Sequence, residues 1–523
     1  MERIRTYLQG RTGFIVIFFV ILLVGIFLRT YEFHDFLRFN ADQSRDAGVV
    51  SEYLMGESAL PLLGPKAGGT DFRVGPAFYH FQIIAGKLFG DTPDVMAYPD
   101  LFFSVLAIPL LFFFLRRYFD MKTSLFLVLI FSVSMYAVKY SRFAWNPNSL
   151  PFWSILFLYA LHAITVGGSS VKKYWGIVLG VVIGVGVQLH TLSLIFFTIV
   201  TLAVFIFLFF EKRMSWKIFF MAMGVALLLN TGQILSEIRT GGANTEAFFQ
   251  SIGSKEKKGS GLVKNAMKDV VCHTQANVYI LSSYDSDDGC SLNSVKKGLN
   301  FPVFIAGLIF FIGGIWISIR AFQREVDISR KYFLGITFFY LGLSFLILLS
   351  LANEVSMRFF LAMIFMPFLF LGLWIEYARE RFPKYAEYMV IALIGILLLS
   401  NLNSLRQSFV TSKSYLTNSN AGMDNAMLRE VELASDFIML HAGGAPVVAV
   451  EGDAQFLFKA LKSMNYFTAK EGIKLVQKNK KTDPGLPIFL VENTRQTEKI
   501  LQSRPVDEYL SFGRFTIFSP RSQ

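Results

Sequence analysis

Charge is scarce in this chain. Asp, Glu, Lys and Arg make up 17% of its 523 residues, against about 25% in soluble domains, which argues against an ordinary cytosolic enzyme. Cysteine is nearly absent, and two residues cannot build a disulfide scaffold. No basic stripe with interleaved aromatics runs through the sequence, so the net charge of +12 does not indicate a nucleic-acid partner. Disorder is excluded by the opposite excess, because a chain with 53% hydrophobic residues, including 56 Phe, would collapse. The sequence instead contains long apolar runs, and these define a polytopic membrane protein.

A membrane-crossing helix needs about 20 mostly apolar residues. About eleven runs qualify: 13–28, 100–115, 123–138, 148–165, 175–189, 194–210, 218–231, 301–319, 332–351, 359–376 and 386–402. The first could be a signal peptide behind Arg3, Arg5 and Arg11. It is followed by Arg29-Thr30-Tyr31-Glu32 with no small-residue cleavage pattern, which favours a retained helix. Lys and Arg set the orientation. Eighteen of them, from Arg3 to Lys384, fall in the segments on one side, and only Lys139, Arg142 and Arg358 fall in the short connections on the other. This places the N-terminus in the cytoplasm. Much of the positive charge is therefore topological.

An odd count leaves three long segments outside: 29–99, 232–300 and the tail from 403. Residues 1–402 then form a membrane domain and 403–523 a small extracytoplasmic α/β domain. In the tail, 425–442 has helical periodicity. Val447-Val448-Ala449-Val450, Pro487-Ile488-Phe489-Leu490-Val491 and Arg514-Phe515-Thr516-Ile517-Phe518 read as strands. The tail holds no phosphate loop or catalytic cluster. Cys272 and Cys290 fall in the same outer segment, where a disulfide suits an oxidising compartment and contributes about 3 kcal/mol in the chain-entropy model. The alternative is two free thiols. A metal at Cys272-His273 lacks the ligand spacing of known sites.

Polar residues crowd against the membrane after the first run, in Arg38-Phe39-Asn40-Ala41-Asp42-Gln43-Ser44-Arg45-Asp46-Ala47-Gly48. A second cluster runs from Gly64-Pro65-Lys66 to Arg73-Val74-Gly75-Pro76. It leads into Ala77-Phe78-Tyr79-His80-Phe81 and ends at Leu88-Phe89-Gly90. Short helices lying on the bilayer surface account for this mixture. Here the sequence resembles the GT-C glycosyltransferases, in the branch of protein O-mannosyltransferases, aminoarabinose transferases and RgtA/B/C/D-like enzymes. Asp42-Gln43-Ser44-Arg45-Asp46-Ala47 matches that family's Asp-Glu-x-Arg-x-Ala, with Gln43 in place of Glu. Gly75-Pro76 stands where many members have Pro-Pro. Val74 replaces the basic residue before that pair, and Arg73 is the residue that could substitute. Tyr140-Ser141-Arg142-Phe143-Ala144-Trp145-Asn146-Pro147-Asn148 is similar too, without the second acid many relatives have there.

The resemblance implies a sugar donor carried on a polyprenyl phosphate and a reaction on the outer face. Such a reaction needs a carboxylate as general base and cations for the departing phosphate. Asp42 is the candidate base, with a helix cap as the bland alternative and Asp35 and Asp46 as rivals; Asp46 falls at a variable motif position. Arg45, Lys66, Arg73, His80, Arg142, His190, Glu237 and Arg358 are candidate substrate-binding residues, and Lys139 invites the same comparison as Arg142. For each charge, the plain reading is an ion pair, a solvated loop or a snorkelling side chain.

The fold class expected is a polytopic all-α membrane protein with the GT-C fold, interfacial helices in the first outer loop and a C-terminal α/β domain. The function expected is transfer of a sugar from a polyprenyl-phosphate monosaccharide to an acceptor outside the cytoplasm (protein, lipid or envelope glycan), with inversion, at the plasma membrane. The alternatives are a transporter or flippase of lipid-linked intermediates, or an envelope assembly scaffold. No cofactor and no nucleic acid are expected, and a divalent metal stays open.

Overall fold

The structure is a computed structural model. It describes residues 11–256, 261–284, 290, 300–351, 355–417, 426–479, 482–483, 485–503, 506 and 508–520. The basic flank at Arg3 and Arg5 lies outside the described residues.

Each apolar run forms helix. The chain opens with α1 (Arg11–Thr30), α2 (Ala41–Leu54) and α3 (Ala77–Phe89). It continues with α4 (Tyr98–Leu115), α5 (Met121–Val133), α6 (Met135–Lys139), α7 (Leu150–Val166), α8 (Ser169–Leu189), α9 (Thr191–Phe210), α10 (Trp216–Leu229) and α11 (Thr231–Thr240). Then come α12 (Ala243–Glu256), α13 (Leu262–Ser282), α14 (Asn300–Arg324), α15 (Ile328–Ser350), a 3-10 turn (Met357–Met363), α16 (Phe365–Arg381) and α17 (Ala386–Thr417). Among the described residues, seven helices are long and apolar enough to cross a membrane: α1, α8, α9, α14, α15, α17 and the helix through 95–115. Two more candidates are bent pairs, α10 with α11 and the 3-10 turn with α16, each at 63°. The helices α5 and α7, at two of the runs expected to span, are apolar but shorter.

The run expected as one helix over 123–138 is broken at Ser134. Its hydroxyl caps α6 and also donates to the Ile280 carbonyl at 2.7 Å. The α8–α10 contact depends on small residues. A Cβ at Gly176, Gly180 or Gly184 would come within 2.7, 2.6 or 3.0 Å of atoms on α10, a small-residue stripe that brings two apolar backbones together. Within the segment 232–300, expected from the sequence as an outer loop, α13 packs against α14, α15, α16 and α17. Its Cys272 is buried and bonded to Cys290.

After α18 (Leu428–His441), the tail forms a sheet flanked by α19 (Ala454–Lys470) and α20 (Thr497–Ser503). The strands are β1 (Val447–Gly452), β2 (Lys474–Gln477), β3 (Ile488–Asn493), β4 (Tyr509–Phe512) and β5 (Phe515–Phe518), in the order β2-β1-β3-β5-β4. β1 pairs parallel with β2 and β3, whereas β5 pairs antiparallel with β3 and β4. A fully buried ion pair, Arg514 Nε to Glu430 Oε1 at 2.7 Å, ties the sheet to α18. The Arg514 guanidinium also covers the Tyr415 ring of α17, 4.5 Å from its centroid.

The sheet and its helices are seated on the segment between α1 and α4. Leu428 N donates to Leu37 O at 2.9 Å, and Phe39 packs edge-on against Tyr466 and Phe467 of α19 at 5.5 and 5.9 Å. Lys470 pairs with Asp91 at 2.9 Å. One continuous hydrophobic core therefore runs from the bundle through Val50 and Phe39 to Phe489 and Ile517.

Candidate active site

Helix α2 begins where its capping chemistry dictates. The Gln43 side chain accepts from Asn40 N at 3.2 Å, and its amide donates to Ala144 O at 3.3 Å. The residue that replaces the family's Glu thus caps the helix and fastens it to the Tyr140–Asn148 loop. Asp42 stands in the first turn, where a helix N-terminus favours a carboxylate.

One turn later, Arg45 joins two acids. Its NH1 donates to Asp42 Oδ1 at 3.0 Å, while Nε and NH2 grip Asp46 Oδ1 and Oδ2 at 2.9 and 3.0 Å. The Tyr79 hydroxyl of α3 donates to Asp46 Oδ1 at 2.9 Å. Asp46 is 1% exposed, and burial pushes its carboxyl up to about 6 although Arg45 and Tyr79 act to lower it. The two acids raise the Arg45 guanidinium against the opposing effect of its partial burial. Asp42 is more than half exposed and opens onto a cavity of about 690 Å³.

That cavity collects residues from distant parts of the chain. Asp42 and Arg45 come from α2, and Lys66 and Asp71 from a hairpin turned at Gly69. Trp145 and Asn146 come from the loop before α7, His190 from the α8–α9 break, and Arg358 from the 3-10 turn before α16. Lys66 pairs with Asp71 at 2.8 Å and holds that exposed carboxyl below its usual range. His190 caps α9, its Nδ1 accepting from Leu192 N at 3.1 Å, and its ring meets Phe359 edge-on. Arg358 covers the Trp145 ring at 5.3 Å, and its buried Nε has no hydrogen-bond partner among the described residues. Leu192, Ile195, Ile347, Leu351 and Phe359 make an apolar wall. Chemically, the arrangement offers two carboxylates (Asp42 and Asp71, the latter paired with Lys66), three cations and an apolar slot in one place.

The cavity thus brings together Asp42, Arg45, Lys66, His190 and Arg358. Four other candidates lie outside its lining. Arg142 donates from NH1 and NH2 to the carbonyls of Leu28, Arg29, Tyr31 and Glu32, so it closes the C-terminal end of α1. Arg73 exchanges backbone bonds with the Asn244 side chain at 2.7 and 3.0 Å. His80 Nε2 meets Pro61 O at 3.0 Å, and Glu237 Oε2 accepts from Thr245 N at 3.3 Å. Of the rivals to Asp42, Asp35 pairs with His34.

The plain reading of Arg45, an ion pair with Asp42 or Asp46, is what the structure shows, with both acids engaged at once. Sequence reasoning missed Tyr79, which the sequence presents only as part of an aromatic run. Among the described residues, no group of three His, Cys, Asp or Glu converges as a metal site would.

Residues 73–232 match a family model described as dolichyl-phosphate-mannose-protein mannosyltransferase. No curated relative matches by sequence. Among solved structures, ArnT from Cupriavidus metallidurans bound to undecaprenyl phosphate superposes with a TM-score of 0.56 at 11% identity, over 98% of each chain. Its apo form gives 0.53 at 10% identity, over 97% of this chain and 98% of that one. The apo oligosaccharyltransferase of Archaeoglobus fulgidus gives 0.51 at 12% identity, over 94% of this chain and 70% of that one. A shared path of the chain over nearly its whole length, at identities this low, is a statement about fold: this is an integral membrane protein with the fold of the GT-C glycosyltransferase superfamily.

Proposed function

We propose that this protein is a glycosyltransferase that moves a sugar from a polyprenyl-phosphate monosaccharide to an acceptor outside the cytoplasm. The observation that carries the reading is one cavity lined by Asp42, Arg45, Lys66 and Arg358 beside an apolar wall. An acceptor hydroxyl attacks the anomeric carbon, Asp42 takes its proton, and the bond to the lipid phosphate breaks with its electron pair going to the phosphate. A single displacement of this kind inverts the anomeric configuration. The departing charge falls to the cations, whose charge-assisted hydrogen bonds suit phosphate oxygens. The prenyl chain follows the slot of Leu192, Ile195 and Phe359.

The family model's description and the undecaprenyl phosphate bound to ArnT both support a lipid-phosphate donor. The basic-residue distribution supports a plasma-membrane protein whose N-terminus is cytoplasmic and whose tail is outside. Purified protein incubated with a panel of polyprenyl-phosphate sugars should release lipid phosphate and transfer sugar. Asp42→Asn should lower transfer about a hundredfold or more while binding lipid phosphate nearly as the parent does. Transfer by Asp42→Asn at the parent rate would remove Asp42 as base, and a wild type that moves lipid-linked sugars without breaking the glycosyl bond would favour a transporter.

A further inference from the structure

Arg358 differs from the other two cations that line the Asp42 cavity. Arg45 faces Asp42 and Asp46, and Lys66 faces Asp71, whereas among the described residues no carboxylate pairs with Arg358. Rings hold it instead. The guanidinium carbon lies 5.3 Å from the centroid of Trp145 and 5.4 Å from that of Phe359. Aromatic contact consumes none of the five N–H donors of an arginine.

A long side chain with no ion pair takes its direction from its backbone and its seat. The backbone here is the 3-10 turn Met357–Met363, a conformation whose own hydrogen bonds are poor. It is fastened from outside. Tyr136 of α6 donates its hydroxyl to Met357 O at 2.7 Å, and Tyr340 of α15 donates to Ala362 O at 2.9 Å, both tyrosines being fully buried. Tyr136 thus grips the peptide that joins Met357 to Arg358. The seat is fixed by three consecutive residues tied to three helices. Ala144 O accepts from Gln43 of α2 at 3.3 Å, Trp145 N donates to Asp100 Oδ2 of α4 at 3.0 Å, and Asn146 Nδ2 donates to Leu189 O at the end of α8 at 2.5 Å. Asp100 is 3% exposed in the first turn of α4 and forms no ion pair among the described residues. A carboxylate is costly to keep inside a membrane bundle, so its one partner is informative. That partner is the amide of the residue on which Arg358 rests.

We propose that Asp100 and Tyr136 are positioning residues for Arg358. Asp100 sets the Trp145 ring against the guanidinium, and Tyr136 sets the peptide from which the side chain springs, so the cation is oriented before a lipid phosphate arrives. This inference rests on the reading of the cavity as a lipid-phosphate site. The test titrates the full chain in neutral detergent with undecaprenyl phosphate and follows binding without turnover. Arg358→Gln should weaken binding about tenfold or more. Tyr136→Phe keeps the ring against Tyr140 and Tyr279. That variant and Asp100→Leu should each weaken binding about three- to tenfold. Asp100→Asn keeps an oxygen for Trp145 N and should recover most of the loss seen in Asp100→Leu. In the Arg358→Gln background neither substitution should weaken binding further, because nothing remains for it to position. Losses that add in that background would mean a general structural role and overturn the proposal, as would parent-like binding by both single variants. Tyr136→Phe decides the comparison if Asp100→Leu does not fold. A parent chain that binds no undecaprenyl phosphate would instead overturn the reading of the cavity, and this inference with it.

Discussion

Asp42 and Asp46 sit one helical turn apart on α2, and their surroundings divide the work between them. Asp42 is more than half exposed to the cavity, while Asp46 is buried against Tyr79 and grips Arg45 through both oxygens. Asp46 thus acts as a positioning residue: it holds the guanidinium through Nε and NH2 while NH1 reaches Asp42. Burial places its proton release near pH 6, so acid should loosen this hold. Sugar transfer should fall as pH drops through about 6, and Asp46→Asn should lack that inflection at a rate about tenfold lower. Stability should move the other way. The folded value lies above the unfolded one of about 3.9, so this group favours folding most below pH 4 and loses that contribution as pH rises through 6. Parallel activity and melting profiles of parent and variant would check both limbs, and an unchanged inflection in Asp46→Asn would assign it to another group.

At the scale of elements, Gly75-Pro76 shows what a motif conceals. Gln188 of α8 accepts from Ala77 N at 3.1 Å and donates to Gly184 O and Leu229 O, pinning the start of α3 to α8 and α10. A Cβ at Gly75 would come within 2.7 Å of the Gln188 Cβ, so the glycine is needed for room. Gly75→Ala should cost about 1–3 kcal/mol as an overpacking change, read as a lower melting temperature in detergent, and should reduce transfer by shifting Tyr79. A variant as stable and active as the parent would mean that α3 can move off α8 freely. The motif itself was legible in the sequence, but its partner, more than a hundred residues away, was not. The same contrast recurs elsewhere. The apolar runs located the helices because burial in lipid demands them, yet the break at Ser134 lies inside an unbroken apolar stretch and depends on the Ile280 carbonyl. Helix α13 reads as an outer loop because Lys264, Lys268 and Asp269 interrupt it, yet tertiary packing buries Asp269 together with Cys272, His273 and Ala276. Asp42 could be singled out from its place in the motif that carries the resemblance, whereas Arg142 could not be assigned, because its four carbonyl partners sit at the end of another helix.

At the scale of the whole molecule, the tail is part of the site's support although none of its described residues lines the main cavity. Helix α2 is held between α3, through Tyr79 and Asp46, and α19, which packs along it. The seam centres on Phe39, 1% exposed, immediately before the Asn40 cap and three residues before Asp42. Its ring lies between Tyr466 and Phe467, and the chain beside it bonds to Ala426 and Leu428 at the entrance to the α/β domain. Phe39→Ala should cost about 3–5 kcal/mol at this seam, borne where the two parts meet and leaving the cores of bundle and sheet intact. The expected signature is faster amide exchange in α2 and α19, with protection kept in β1 and β3, together with a loss of transfer out of proportion to any loss of donor binding. Uniform deprotection of the sheet would mean that the domain unfolds as a whole. Unchanged exchange in α2 would mean that the bundle alone sets the position of Asp42.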